Sequence, residues 1–576
     1  MKKAIQQTAE EIKKMIRFEG AGVLGDAGRL LRITQIAMGS YLIFFYFTVR
    51  ENPPELIVAT LLLIGAAFLP TYLWCSGKVQ GLPILPIIAL KYIPSYVYPV
   101  QVGMKLLEAF STEEQAEAVF ATAWYLLLLT LVWQQICNRT SRPTPIWFSI
   151  ESKKSTAWMM VLLVVYLGFQ LVQDHFPPGA ASLIRGVIGN GSSLACFILS
   201  FQSGQGILSA FQRGLFLGLL GTSLLVDAGS LILANCIVKV GVVLAGYSLA
   251  KGKVPWKSLL LLVPLLWVLH AGKSKMREEY WDEGRMGATK VGVTEYPQLF
   301  ARWLEIGWRE TVKEKSVYDP EGQSAAERGS LLNVFLKINT MSPSQVPYLE
   351  GLTYKAIPRL LIPRFLNKDK GFSHEGNIWL AYLYKFTSEE GLMRVSIQFD
   401  LMMESYANFG YLGMAVMAIV LGLVIGWVTR WSTGVPVMSF RFLFAVLFLN
   451  SYLSANNTLG VFVTTLWQGT IGLWGISWLM MSQMPNPFFV LEKLKWESKK
   501  GKKAGVDGKD IGYGISDIGD RETEDRGLRT EGGPTSLQAS PTREELRRVE
   551  NEAEPEAASE KHARPTRYVY GKKKAD

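Results

Sequence analysis

From Leu56 to Trp74 the chain runs LIVATLLLIGAAFLPTYLW without one charged side chain. At about 1.5 Å of rise per residue, a run of this kind is as long as the hydrocarbon core of a bilayer is thick, roughly 30 Å. In lipid every backbone polar group must be satisfied within the protein, so a run this apolar has few alternatives to a spanning helix. Similar runs fill positions 30–270 and 404–482, and the charged residues gather elsewhere, so the mean hydropathy of +0.18 averages two unlike materials. The chain therefore reads as all-α: a polytopic membrane helix bundle.

About twelve spans are expected, near 30–49, 56–74, 83–102, 116–137, 156–173, 180–201, 208–226, 229–249, 256–272, 404–429, 437–455 and 459–482. Short-loop charge orients them. Arg139, Arg142, Lys153 and Lys154 share one connection, Lys251, Lys253 and Lys257 another, and Arg430 and Arg441 a third, all on the side of the basic N-terminus. The opposite connections hold Glu51, Glu55, Glu108, Glu113, Glu114, Asp174 and Asp227. The positive-inside bias then predicts that both termini are cytoplasmic. It also accounts for the net charge of +11 without a nucleic-acid partner.

Five regions follow: a cytoplasmic amphipathic segment at 1–28, a bundle of nine spans at 29–272, a large external loop at 273–399 between spans 9 and 10, spans 10–12 at 400–484, and a charged tail at 485–576. The loop carries Pro297, Pro343, Pro347, Pro358 and Pro363 with apolar segments between them, which predicts short amphipathic helices resting on the bundle. The tail has only scattered aliphatics, too few to offset its ordering entropy, and reads as disordered. Cys75, Cys137, Cys196 and Cys236 lie in or beside apolar runs with no CxxC spacing, and the histidines are only His175, His270, His374 and His562. Neither a disulfide framework nor a metal centre is expected, and no cofactor is implied.

The chemistry-bearing segment is Tyr348 to Gly413. Arg359, Arg364 and Lys368 sit among Pro358 and Pro363, which break any long helix and fix the local backbone. Guanidinium groups held at a membrane face suit bidentate phosphate binding, or equally lipid headgroups and neighbouring acids. Lys273 and Arg277 leave the ninth span at the same face, either to join that site or to snorkel. Glu404, at the outer end of the tenth span, is either a functional acid or the partner of a loop arginine. His374, in a glycine-flanked loop beside Glu375, either accepts a proton or is merely solvated. Within the bundle, Arg213 and Asp227 are expected at opposite ends of the seventh span, whereas Lys91 and Lys239 lie deeper and need a partner or a wet cavity.

The PR-x-x-x-PR segment from Pro358, the E-x-Y-x-N-F-G-x-x-G run from Glu404, the QRGLFLGLL segment from Gln212, the HAGK exit of the ninth span and the single large loop resemble the O-antigen polymerases (Wzy-type) and related oligosaccharide repeat-unit polymerases. O-antigen ligases share that loop and stay open as a neighbour. The resemblance implies a metal-independent glycosyltransferase of the bacterial inner membrane. It would join undecaprenyl-diphosphate-linked oligosaccharide repeat units into O-antigen or exopolysaccharide, beside a chain-length regulator and a flippase as partners. Arg359, Arg364, Lys368, Lys273 and Arg277 would hold the diphosphate or glycan, and Glu404 or His374 would deprotonate the acceptor sugar. A flippase of lipid-linked sugars, with a cationic cavity inside the spans, and a non-catalytic scaffold are the readings from other classes.

Overall fold

The computed structural model describes residues 27–49, 52–139, 146–150, 152–280, 292–312, 330–362, 366–367, 370–371, 373–387, 397–454 and 458–485. The segment expected at 1–28, apart from its last two residues, and the tail expected at 485–576, apart from Pro485, lie outside the described residues. So does all of a second compact unit, Asp507–Asp576.

The helices follow from local signals. After α1 (Ala27–Val49), α2 (Pro54–Cys75) opens on Pro53 and Pro54, whose fixed φ and missing N–H suit a first turn. α3 (Ile84–Leu90) is short, and α4 (Thr112–Cys137) starts at a capping box in which Ser111 Oγ accepts the Glu114 N–H at 3.2 Å and Glu114 Oε2 accepts the Ser111 N–H at 2.7 Å. α5 (Ser152–Val172) is followed by α6 (Pro178–Gln205), which ends at Gly206 in the left-handed region, and α7 (Ala210–Gly229), which repeats the capping box with Ser209 and Gln212. The chain continues through α8 (Leu233–Lys251), α9 (Trp256–Tyr280), α10 (Tyr296–Val312), α11 (Leu331–Met341), α12 (Glu375–Leu383), α13 (Leu401–Trp431), α14 (Phe440–Ser454) and α15 (Leu459–Met480).

Eight helices among the described residues, α1, α2, α4, α5, α6, α8, α13 and α15, are long and apolar enough to cross a membrane. The other four expected spans take other forms. α7 and α9 are full helices that fall short of that apolar standard, and α14 has 15 residues. The stretch expected at 83–102 is broken: α3 gives way to a π-helical turn at Ile93–Val97, beginning just before Pro94, and then a single α turn at Tyr98–Gln101. Pro94 has no N–H to give to the ladder, which favours the irregularity there.

α13 departs further from the expected single span. At Phe409 (φ −144°, ψ 17°) and Gly410 (φ 63°, ψ −152°) the helix breaks, and the second of these conformations is essentially open only to glycine. The break is a reversal: a Cβ at Gly413 would collide with the carbonyl oxygen of Ser405, two residues that a continuous helix would separate by about 12 Å along its axis. Glu404 therefore stands on a separate half-helix, Leu401–Asn408, turned back on the bundle. The carbonyls of Ala407 and Asn408, freed by the break, accept the N–H groups of Leu349 and Glu350 at 3.0 and 3.1 Å.

Close packing holds the bundle together, since between helices in lipid there is little hydrophobic drive to do so. α13 lies on α4 through Gly422 and Gly426, where added Cβ atoms would come within 2.9 Å of Leu129 O and 2.8 Å of Ile136 Cβ. This G-x-x-x-G pair faces a neighbour as small-residue motifs do. A second apolar cluster, with Leu231, Met276, Leu299 and Trp303, joins α7 to the hairpin of α9 and α10. Among the described residues the helices are accompanied by one two-stranded sheet: β1 (Ile146–Ile150) pairs antiparallel with β2 (Met481–Pro485), Phe148 opposite Gln483.

Candidate functional site

The half-helix Leu401–Asn408 organises the site. Asp400, Glu404 and Asn408 stand at i, i+4 and i+8 and so share one face, and all three are buried. Each is held differently. Asp400 is the N-cap: its Oδ1 accepts the Met403 N–H at 3.0 Å, and its Oδ2 accepts the Tyr96 hydroxyl at 2.7 Å. Glu404 is fully buried, and its Oε2 accepts the Leu459 N–H at 2.6 Å, at the first turn of α15. Asn408 donates to Thr353 Oγ1 at 2.8 Å and to Glu404 O at 2.7 Å. Three buried atoms in this neighbourhood, Glu404 Oε1, Asn408 Oδ1 and the Tyr354 hydroxyl, have no hydrogen-bond partner among the described residues.

Around Glu404 the start of α15 gathers several expected site residues. A Cβ at Gly460 would lie 3.1 Å from Ser373 O and 3.3 Å from Leu360 Cδ1, so the turn carrying Arg359 and the loop carrying His374 both rest on that helix end. Asn377 fastens α12 to it by accepting the Thr458 hydroxyl at 2.7 Å. Arg359 is exposed in the helical turn Ile357–Leu360, and His374 is exposed, with Nδ1 3.2 Å from Ser373 Oγ. The N-terminus of a helix offers unpaired N–H donors, and at α15 the acceptor in place is the Glu404 carboxyl group. Glu404 is thus a cap built into the interior, where a salt bridge to a loop arginine had been the alternative. Arg364 and Lys368 lie outside the described residues.

Arg277 and Lys239 have partners elsewhere in the bundle. Arg277 donates through Nε and Nη2 to the Leu231 carbonyl at 3.2 and 3.0 Å, closing the turn between α7 and α8 where Leu231 has φ 57°. It serves the second apolar cluster, with Lys273 one turn earlier on α9. Lys239 finds its partner in Asp227, Nζ to Oδ2 at 2.6 Å, and Asp227 also accepts the Tyr166 hydroxyl. Asp227 is therefore a buried half of an ion pair, in addition to lying at the end of α7.

Lys91 leads to the part of the site that sequence reasoning missed. With Tyr92, Ser95, Tyr96, Tyr452 and Asp400 it lines a cavity of about 10 Å³, closed on one side by Leu331 of α11. Lys91 comes from the broken stretch after α3, Tyr452 from α14 and Asp400 from the half-helix, so the cavity exists because two helices are interrupted there. Irregular backbone of this kind is tolerated among spanning helices where it is buried in protein or lines a cavity. Asp400 faces this cavity with its carboxyl held by the Tyr96 hydroxyl and the Met403 N–H. The signal for Asp400 was present in the sequence as D-x-x-x-E-x-x-x-N, four-residue spacing from Asp400 through Glu404 to Asn408.

Among the described residues no group of three or more His, Cys, Asp or Glu side chains is placed to hold a metal ion. Comparison of the chain with protein-family models, with curated proteins and with solved structures finds no match.

Proposed function

We propose that the chain is a membrane glycosyltransferase-type polymerase that joins lipid-diphosphate-linked oligosaccharide repeat units at the outer face of a bacterial inner membrane. The observation that carries the reading is the collection of two buried carboxylates, a lysine and several phenols around one half-helix at the end of an apolar bundle, beside an exposed arginine turn. A lipid diphosphate is already a good leaving group. Such a reaction needs cations for the departing charge, a carboxylate for the acceptor hydroxyl, and cover from water, because hydrolysis competes. Arg359 supplies the first, with Arg364 and Lys368 following it in sequence. Segments of the 273–399 stretch, α11 and α12, supply cover. With cytoplasmic termini and twelve spans, as the short-loop charge bias suggests, this end would lie outside, where lipid-linked repeat units are joined. A ligase acting on a different acceptor would use the same chemistry.

A flippase of lipid-linked sugars is the second reading, favoured by the interrupted helices beside Lys91, since discontinuous helices often mark transport sites. It is weakened at Lys239, whose charge is neutralised by Asp227.

The test is the product made by purified protein in vesicles from one lipid-linked repeat unit. A ladder of lipid-linked oligomers is expected. Unchanged substrate moved across the bilayer would replace this reading with transport. In the same assay Arg359→Lys keeps the charge and loses the bidentate fork. A lost charge-assisted contact of about 1–3 kcal/mol corresponds to roughly tenfold to a hundredfold in rate if the contact tightens in the transition state. An unchanged rate would remove Arg359 from the site.

A further inference from the structure

We propose that the cavity between Lys91 and Asp400 seats the acceptor sugar's hydroxyl and that Asp400 is the catalytic residue that takes its proton, an assignment resting on the polymerase reading above. The size of the cavity, about 10 Å³, is close to the least that holds one water, so it admits a single hydroxyl and excludes a sugar ring or a phosphate. Its charge agrees with that. Lys91 and Asp400 together are neutral, which suits an uncharged alcohol better than an anion.

The carboxylate is oriented before any ligand arrives. The Tyr96 hydroxyl holds Oδ2 at 2.7 Å and the Met403 N–H holds Oδ1 at 3.0 Å, with the Met402 N–H as a further donor, so three of the carboxylate's roughly four acceptor positions are taken. Tyr96 is itself fixed by stacking on Tyr92, ring centroids 5.0 Å apart. Lys91 and Ser95 are the part-exposed members of the lining and form its mouth. Neither carboxylate nor imidazole of the residues expected as base shares this arrangement: Glu404 caps α15 and His374 is exposed on α12's first turn, and neither lines the cavity. Asp400 and Glu404, one helical turn apart, tie the acceptor position to the helix end on which Arg359 rests.

The step balances without a further reagent. Asp400 takes the hydroxyl proton as the acceptor oxygen attacks the anomeric carbon of the donor. A C–O glycosidic bond forms, the C–O bond to the diphosphate breaks, and its electron pair leaves on the lipid diphosphate. Asp400 then returns the proton to water.

The test uses full-length protein in nanodiscs with a single lipid-linked repeat unit, measuring oligomer formation and, separately, binding of radiolabelled donor. Asp400→Asn is isosteric and still caps the half-helix, since Asn is as good an N-cap as Asp. It is expected to lower transfer about a hundredfold or more, the range of a lost general base, with donor binding unchanged. Tyr96→Phe, which frees one carboxylate oxygen, is expected to lose roughly tenfold. Asp400→Asn turning over within threefold, or losing donor binding along with transfer, overturns the assignment while leaving the polymerase reading intact. Unmodified protein that forms no oligomers overturns both.

Discussion

Replacing Lys239 by methionine should destabilise the protein more than replacing Lys239 and Asp227 together. The pair is nearly sealed, with side chains 5% and 6% exposed and Nζ 2.6 Å from Oδ2. The ammonium also lies 4.4 Å from the Tyr166 ring centroid and 3.5 Å from Ser223 Oγ. Lys239→Met removes all three contacts and leaves a buried carboxylate with the Tyr166 hydroxyl. Removing one partner of a buried pair costs about 3–5 kcal/mol, most of it the penalty of the charge left behind. Asp227→Asn strands the ammonium at a similar cost, although its amide oxygen still accepts from Tyr166. The double variant strands nothing, and neutral replacement of a buried pair is often close to neutral for stability. The single losses should therefore vanish in the double variant, and the cycle should return a coupling of about 6–10 kcal/mol, the sum of the two single losses and far above the scatter of independent sites. Unfolding of the purified protein in mixed micelles, followed by far-UV circular dichroism, measures it. Single variants that each lose less than about 1 kcal/mol and add in the double would refute the argument that these charges hold one another in place.

Gly410→Ala should cost about 1–3 kcal/mol from its φ of 63° and ψ of −152° alone, and its Cβ would also lie 2.8 Å from the Tyr348 ring, so the melting temperature and transfer activity should fall together; an unchanged melting temperature would mean that the reversal in α13 is absent. Glu404→Leu should lose the cap on α15 and about 1–2 kcal/mol, whereas Glu404→Gln, which still accepts the Leu459 N–H, should melt close to the unmodified protein; equal losses would show that the hydrogen bond does not matter. In a background with Cys75, Cys137, Cys196 and Cys236 replaced, Lys355→Cys should react with an impermeant maleimide added outside and Lys251→Cys should not; the reverse pattern would invert the topology.

How much was legible follows from the range of each interaction. Helix existence was written locally: apolar runs as long as a bilayer is thick, Ser111 and Glu114 or Ser209 and Gln212 at capping-box spacing, and Gly206 at a helix end are all set by residues within four positions of one another. The interruption at Gly410 was present only as a glycine in N-F-G, because whether a glycine inside an apolar run continues a helix or reverses it depends on what takes the freed carbonyls. Here Leu349 and Glu350, some sixty positions earlier, do so.

The same distinction separates the site residues. Sequence alone determined that Lys91 and Lys239 needed partners, since a charge among apolar residues is costly wherever it sits. It could not set Asp400 in the same cavity lining as Lys91 or name Asp227 as the partner of Lys239, nor assign Glu404 to the first turn of α15, because those placements join segments separated in the chain. Composition and spacing fix which groups require an answer. Only packing decided which group supplies it, α8 against α7 for Lys239 and Asp227 and α13's half-helix against α15 for Glu404, because a hydrogen bond or ion pair acts over about 3–4 Å of space and carries no memory of separation along the chain.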